Sequence, residues 1–242
     1  LYEALADSFF LEVFDKMNKK KDKLIVWDFD GVIADTEKLW LQNRMIVLNE
    51  KLGLGWNIDT VIKNLAGISD KTKKAVLEKM GIITDDKFWD DLLQMDLQTM
   101  KKGFALTDGI ADIFAMREFE QCIATGGIAS KTALKIEMVK IEQYFPPQKV
   151  FTADMVKHGK PEPDLFLLAA KFMGFEPANC IVVEDSLAGL TAAIKAKMTP
   201  IAFVGNDFGL GEKYVRQIEQ LGVKYICKTM AEVKEAILEL NK

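Results

Sequence analysis

Six short apolar runs rich in β-branched residues divide this chain, at 24–27, 121–124, 149–152, 180–183, 200–204 and 223–227. Between the later runs lie helical patterns at 131–143, 164–173, 187–197 and 213–220. Strands alternating with helices of this length form βαβ units, and these assemble into a parallel, doubly wound α/β sheet of Rossmann-like type. The runs are continuously apolar rather than alternating, as expected of strands covered by helices on both faces.

The first interval breaks this rhythm. From about residue 37 to 103 the pattern is helical throughout, with Gly53, Gly55, Gly67 and Gly81 as turn points. Leu39, Ile46, Leu48 and Leu52 mark one helix; Phe88, Leu92, Leu93, Leu97 and Met100 mark another. A parallel crossover needs only about a dozen residues, so this segment reads as an insertion with its own small core. The expected division is an α/β core of 23–36 and 106–242, an all-helical cap of 37–105, and an N-terminal helical extension of 1–22. In that extension Leu1, Leu5, Phe9, Val13 and Met17 recur every four residues.

Composition removes several function classes. A chain of 242 residues with a net charge of −4 has no electrostatic case for binding nucleic acid. No stretch approaches the roughly 20 apolar residues that span a bilayer, and none has the form of a secretory leader. Cys122, Cys180 and Cys227 sit inside apolar runs, as reduced thiols of a cytoplasmic protein do. With His158 as the single histidine, multi-histidine zinc sites are excluded. His158 itself reads as a loop residue. The expected assembly is a monomer or weak homodimer.

Four runs lead into chemically suggestive residues. The first ends in Asp28-Phe29-Asp30-Gly31, the second in Thr125-Gly126-Gly127, the third leads to Lys160, and the fourth ends in Glu184-Asp185-Ser186. In an open parallel sheet, ligands bind beyond the carboxyl ends of the strands, so these groups converge. Any one of them alone reads as a helix cap; four at one edge read as a site. Several carboxylates in one crevice require a cation, and oxygen donors suit Mg²⁺. With Lys160 the site attracts an oxygen-rich anion, which a phosphoryl group supplies. The Thr125 hydroxyl and the N–H groups at Gly126 and Gly127 can hold its oxygens.

Residues two apart on an extended chain project to the same side, which brings Asp28 and Asp30 together while Phe29 points into the core. One carboxylate, held ionised by Mg²⁺, can attack phosphorus to give an aspartyl phosphate. Its neighbour, with a pKa raised by desolvation and nearby charge, can protonate the leaving oxygen and then activate water. Gly31 permits the turn that leaves the strand.

The segments DFDGVIADTE, IATGG, GKPEPDLFLLAAKFMGFEP and CIVVEDSLAGLTAAIKAKM together resemble the four motifs of the haloacid dehalogenase superfamily. They are most similar to its β-phosphoglucomutase-like phosphatases, which carry a helical cap after the first strand. The resemblance implies Asp28 as nucleophile, Asp30 as acid/base, Thr125 and Lys160 as phosphate binders, and Asp185 as metal ligand with Glu184 beside it. It adds the Asp30 main-chain carbonyl as a further ligand. An aspartate at position 30 implies phosphate-ester chemistry rather than dehalogenation. The mutases resembled have a histidine where this chain has Trp40 and an arginine near Asp70, so a phosphatase acting on a small phosphorylated metabolite is expected ahead of a mutase or an idle binding protein. Trp40 and Arg44 on the first cap helix, with the 67–71 loop, are the candidate substrate contacts. Trp40 reads either as core or as flanking the substrate, and Arg44 either as solvated surface or as a partner for a substrate anion. One departure is Lys197, in AIKAKM, where the resembled proteins often have glycine.

Overall fold

The computed structural model describes residues 21–66, 68–205 and 211–242. The 1–22 extension falls almost wholly outside the described residues, as does Gly67 of the 67–71 loop. Six strands form one fully parallel sheet: β1 Leu24–Trp27, β2 Glu120–Thr125, β3 Val150–Thr152, β4 Cys180–Glu184, β5 Thr199–Phe203 and β6 Tyr225–Cys227. Their order is β3-β2-β1-β4-β5-β6. This is the doubly wound Rossmann order, and its reversal point lies between β1 and β4.

Alternation along β1 explains its unbroken apolar sequence. Ile25 and Trp27 enter one buried cluster with Phe29, Ile123 and Val183, whereas Leu24 and Val26 enter another with Cys122, Leu165 and Val182. The indole N–H of Trp27 donates to Gln121 Oε1 at 3.0 Å, so the one polar atom of this large side chain is satisfied inside the core.

Ten α-helices accompany the sheet among the described residues. Four occupy the long interval: α1 Glu37–Leu52, α2 Ile58–Leu65, α3 Asp70–Lys79 and α4 Asp86–Met100. They enclose a separate cluster of Leu41, Val47, Leu48, Val61, Leu65, Leu77, Phe88 and Leu92. Asn57, Ser69 and Asp85 cap α2, α3 and α4, each accepting a hydrogen bond from the N–H three residues on. The chain enters and leaves this insertion side by side, because Ala34 bridges Leu106 and the Thr107 N–H donates to Ile33 O at 2.9 Å.

After the insertion come α5 Ile110–Phe114, α6 Ala129–Met138, α7 Asp164–Met173, α8 Leu187–Lys195, α9 Gly211–Gln220 and α10 Met230–Glu239. The pattern at 131–143 overruns α6, which ends at Met138 and is followed by Lys140 at φ 57°. Lys197 likewise takes a left-handed φ of 60°. The turn made by glycine in the resembled sequences is therefore kept here at the expense of backbone strain.

The inward face of α1 departs from the sequence reading. Ile46 is 38% exposed, whereas Arg44 is 4% exposed. Arg44 is thus not solvated surface. It occupies an inward register between Trp40, Leu41 and Leu48, and packing alone does not account for a guanidinium there.

Candidate active site

The strand ends converge as topology requires. A cavity of about 210 Å³ opens at the carboxyl edge of the sheet, between it and the helical insertion. Asp28, Asp30, Thr125, Gly126, Gly127, Lys160, Glu184 and Asp185 from the core line it, joined by Trp40 and Arg44 from α1. All ten sequence-derived candidates therefore reach one place. His158 does not line it.

Asp28 leaves the end of β1 with its N–H donated to Val183 O at 3.0 Å, which fixes it beside β4. Oxygens of Asp28, Glu184 and Asp185, all buried, lie within 4.8 Å of one another. Burial, together with the neighbouring carboxylates, pushes Asp28 up to about 7 despite Lys160 and raises Asp185 well above the ordinary carboxylate range. Lys160 Nζ reaches Asp28 Oδ1 and donates to Glu184 Oε1 at 2.7 Å. Burial would lower this ammonium, but the two carboxylates hold its pKa above the ordinary lysine value. One lysine does not balance three buried carboxylates. A hard dication with oxygen ligands would do so, and the donor set fits Mg²⁺ chemically.

Two glycines make the cluster possible. A Cβ on Gly31, whose φ is +87°, would lie 2.0 Å from Asp185 Oδ2. A Cβ on Gly189, in the first turn of α8, would lie 1.8 Å from Glu184 Oε1. Glu184 Oε2 accepts the Ser186 N–H at 2.5 Å, so the start of α8 orients this carboxylate.

Asp30 has different surroundings. Its Oδ1 accepts from Thr36 Oγ1 at 2.5 Å and from Trp40 Nε1 at 2.6 Å, and its Oδ2 is 2.6 Å from Lys135 Nζ. Burial alone would raise this carboxyl, but Lys135 and the two donors hold it well below the usual range. The expected upward shift at Asp30 is thus reversed, because the sequence reading did not include Lys135. Trp40 neither faces solvent nor merely fills the core; its indole N–H reaches from α1 to Asp30.

Thr125 is buried at the end of β2, and its Oγ1 accepts the Gly127 N–H at 3.2 Å. The backbone N–H of Ser69 lies 3.8 Å from where a Gly126 Cβ would stand, so the insertion closes directly on this loop.

Ser69, Asp70 and Lys71 of the expected 67–71 loop also line the cavity, whereas Lys131 and Lys135 on α6 and Asp96 on α4 escaped the sequence reading. Their signal was positional. Lys131 and Lys135 stand four apart on the helix that begins at the Thr125 loop and so share a face. Asp96 falls in the buried series Phe88, Leu92, Asp96, Met100. There it meets Lys131 Nζ and accepts from Asn43 Nδ2 at 2.8 Å, with Arg44 Nη1 at 3.4 Å. Arg44 Nη2 donates to Asp70 Oδ1 at 2.7 Å. Lys131 Nζ also sits over the Trp40 ring, 4.1 Å from its centroid.

The sequence profile of the haloacid dehalogenase-like hydrolases matches residues 25–203. The chain belongs to the haloacid dehalogenase-like hydrolase family. Among curated relatives, YhcW of Bacillus subtilis (strain 168) is 38% identical over 229 residues, covering 89% of this chain and 96% of YhcW. The fructose-1-phosphate phosphatase YqaB of Escherichia coli (strain K12) is 28% identical over 181 residues, covering 73% of this chain and 94% of YqaB. A CBBY-like protein of Arabidopsis thaliana is 28% identical over 206 residues, and the match spans 73% of this chain and 61% of that protein's length. The crystal structure of CbbY from Rhodobacter sphaeroides in complex with phosphate shares the fold, with a TM-score of 0.70 at 23% identity over 87% of this chain and 96% of CbbY. In this haloacid dehalogenase-like hydrolase, no helix among the described residues is long and apolar enough to cross a membrane.

Proposed function

We propose that this hydrolase is a Mg²⁺-dependent phosphoric monoester hydrolase acting on a small phosphorylated metabolite through a phosphoryl group carried on Asp28. The observation that carries the reading is the contrast between two neighbouring carboxylates. Asp28 faces Lys160, Glu184 and Asp185, whereas Asp30 faces Lys135, Thr36 and Trp40. Asp28 thus stands among the groups that suit a metal and a phosphoryl group, and Asp30 among hydrogen-bond donors under the insertion, which gives the two carboxylates different chemical roles.

Asp28, Glu184 and Asp185, with the Asp30 main-chain carbonyl, would hold Mg²⁺, and the ion when bound offsets charge on the phosphoryl oxygens. Lys160, the Thr125 hydroxyl and the N–H groups of Gly126 and Gly127 orient the phosphoryl group. An Asp28 oxygen then attacks phosphorus in line as the bond to the leaving oxygen breaks. Asp30 passes a proton to that oxygen. A phosphate monoester monoanion carries this proton into the site, and the ionised Asp30 accepts it. In the second half Asp30 takes a proton from water, whose oxygen attacks phosphorus and frees Asp28; Asp30 then passes that proton to the departing phosphate, which leaves as the dihydrogen ion and restores the ionised Asp30.

The insertion serves as a cap over residues 37–105 on a core of 23–36 and 106–242, excluding bulk water from the reacting groups. Trp40 supports hydrolysis over a mutase, because an indole N–H can donate to Asp30 but cannot itself exchange protons with a sugar. Three buried unpaired cysteines support a cytoplasmic setting. Phosphate release from a panel of sugar, polyol, nucleotide and carboxylate phosphates tests the reading. Release is expected with Mg²⁺, and not with chelator or in Asp28→Asn. Failure of every ester, or turnover surviving Asp28→Asn, would refute it.

A further inference from the structure

The part of the cavity away from Asp28 pairs the cations Arg44, Lys131 and Lys73 with the carboxylates Asp96 and Asp70. Arg44 and Lys131 both meet Asp96, Arg44 also meets Asp70, and Lys73 Nζ lies 3.5 Å from the same Asp70 oxygen. Asp96 is the centre of this set. It is 1% exposed, sits at a core register of α4, and faces cations from both the insertion and the core helix α6. Burying a carboxylate there is strongly unfavourable unless partners offset it, so apolar packing does not explain its presence. Its partners, Arg44 and Lys131, both line the cavity, where cations left unpaired would attract a second anionic group on a substrate.

Arg44 lines the cavity, yet its Nη1 is taken by Trp40 O and Asp96 and its Nη2 by Asp70, while its buried Nε–H lacks an acceptor. A guanidinium already paired with two carboxylates offers little net charge to a second phosphate. The exposed Lys71 and Lys157 at the mouth are screened by water and hold an anion only weakly.

We infer that Asp96 is a specificity-determining residue: by engaging Arg44 and Lys131 it fits the cavity to the uncharged, hydroxyl-bearing leaving group of a phosphate monoester and disfavours a second phosphate. This deepens the phosphatase reading and rests on it for the position of the first phosphate.

Binding and turnover separate the two claims. Calorimetric titration of fructose 6-phosphate and fructose 1,6-bisphosphate, in the presence of Mg²⁺, is made on Asp28→Asn and on the Asp28→Asn/Asp96→Asn double variant. The first should bind the monophosphate more tightly. The second should shift the ratio of the two affinities toward the bisphosphate by about tenfold, the effect of uncovering cations in a desolvated cavity. Lys131→Met in place of Asp96→Asn should leave the monophosphate favoured, which separates charge from general damage to the cavity. Tighter binding of the bisphosphate before Asp96 is changed, or an unchanged ratio after it, would overturn the inference. Loss of phosphate release by the unsubstituted enzyme alongside the expected binding ratios would refute the phosphatase reading and leave the role of Asp96 standing.

Discussion

Asp28 is held in an arrangement that favours chemistry over stability. Three buried carboxylate groups stand within 4.8 Å, and Lys160 pairs with two of them. Removing one charge relieves repulsion while leaving Lys160 its pair with Glu184. Asp28→Asn should therefore melt at or above the wild-type temperature in chelator, while with Mg²⁺ its phosphate release falls below about one thousandth of wild type, the scale expected when a transition-state group is lost. Thermal melts and phosphate assays on the same preparation check both halves; a marked drop in melting temperature would show that Asp28 is structural. Lys197 presents the opposite case: this exposed residue takes the left-handed position that closes α8, its N–H donating to Ile194 O and the Met198 N–H to Ala193 O, both at 3.0 Å. Lys197→Gly should raise stability by about 1 kcal/mol, the penalty of a left-handed φ for a residue with a Cβ, and leave turnover unchanged. Urea denaturation measures that gain.

Among the elements, the start of α8 does more than follow β4. The Ser186 N–H orients Glu184, and the missing side chain of Gly189 makes room for its carboxylate. Gly189→Ala should displace Glu184 and raise the Mg²⁺ concentration for half-maximal activity by about tenfold, with a smaller change at saturating metal. A Mg²⁺ titration of activity decides this, and an unchanged midpoint would mean that Glu184 is not part of the metal set. On α1, Trp40 links the insertion to Asp30 by one hydrogen bond. Trp40→Phe keeps the packing against Phe104 and removes the donor. Turnover should fall about tenfold with little change in melting temperature, in keeping with loss of one hydrogen bond to a charged group.

Across the whole molecule, the sheet and the edge bearing the site were legible because both rest on short-range pattern. β-branched runs and intervening helical periods specify a parallel sheet, and the motif residues stand at strand ends, where topology alone brings them together. The long helical interval was legible as an insertion by its length. What lay beyond sequence reading were contacts across elements. Lys135 lies 105 residues from Asp30, and its ion pair reverses the environment expected there. Arg44 and Asp96 are 52 apart and stabilise each other in registers that hydropathy assigns to apolar residues. Each looks like an ordinary surface charge until its helix face is known. A buried register occupied by a charge was the available signal, and a partner on another element was what gave it meaning.

The phosphoryl-aspartyl intermediate is the central claim and can be read directly. Enzyme mixed with Mg²⁺ and a hydrolysed ester, then quenched in acid within a single turnover, should carry one phosphoryl group. Peptide mass spectrometry should locate it on Asp28. A phosphoryl group on another residue, or phosphate released with no phosphoenzyme at any time within the turnover, would contradict the account.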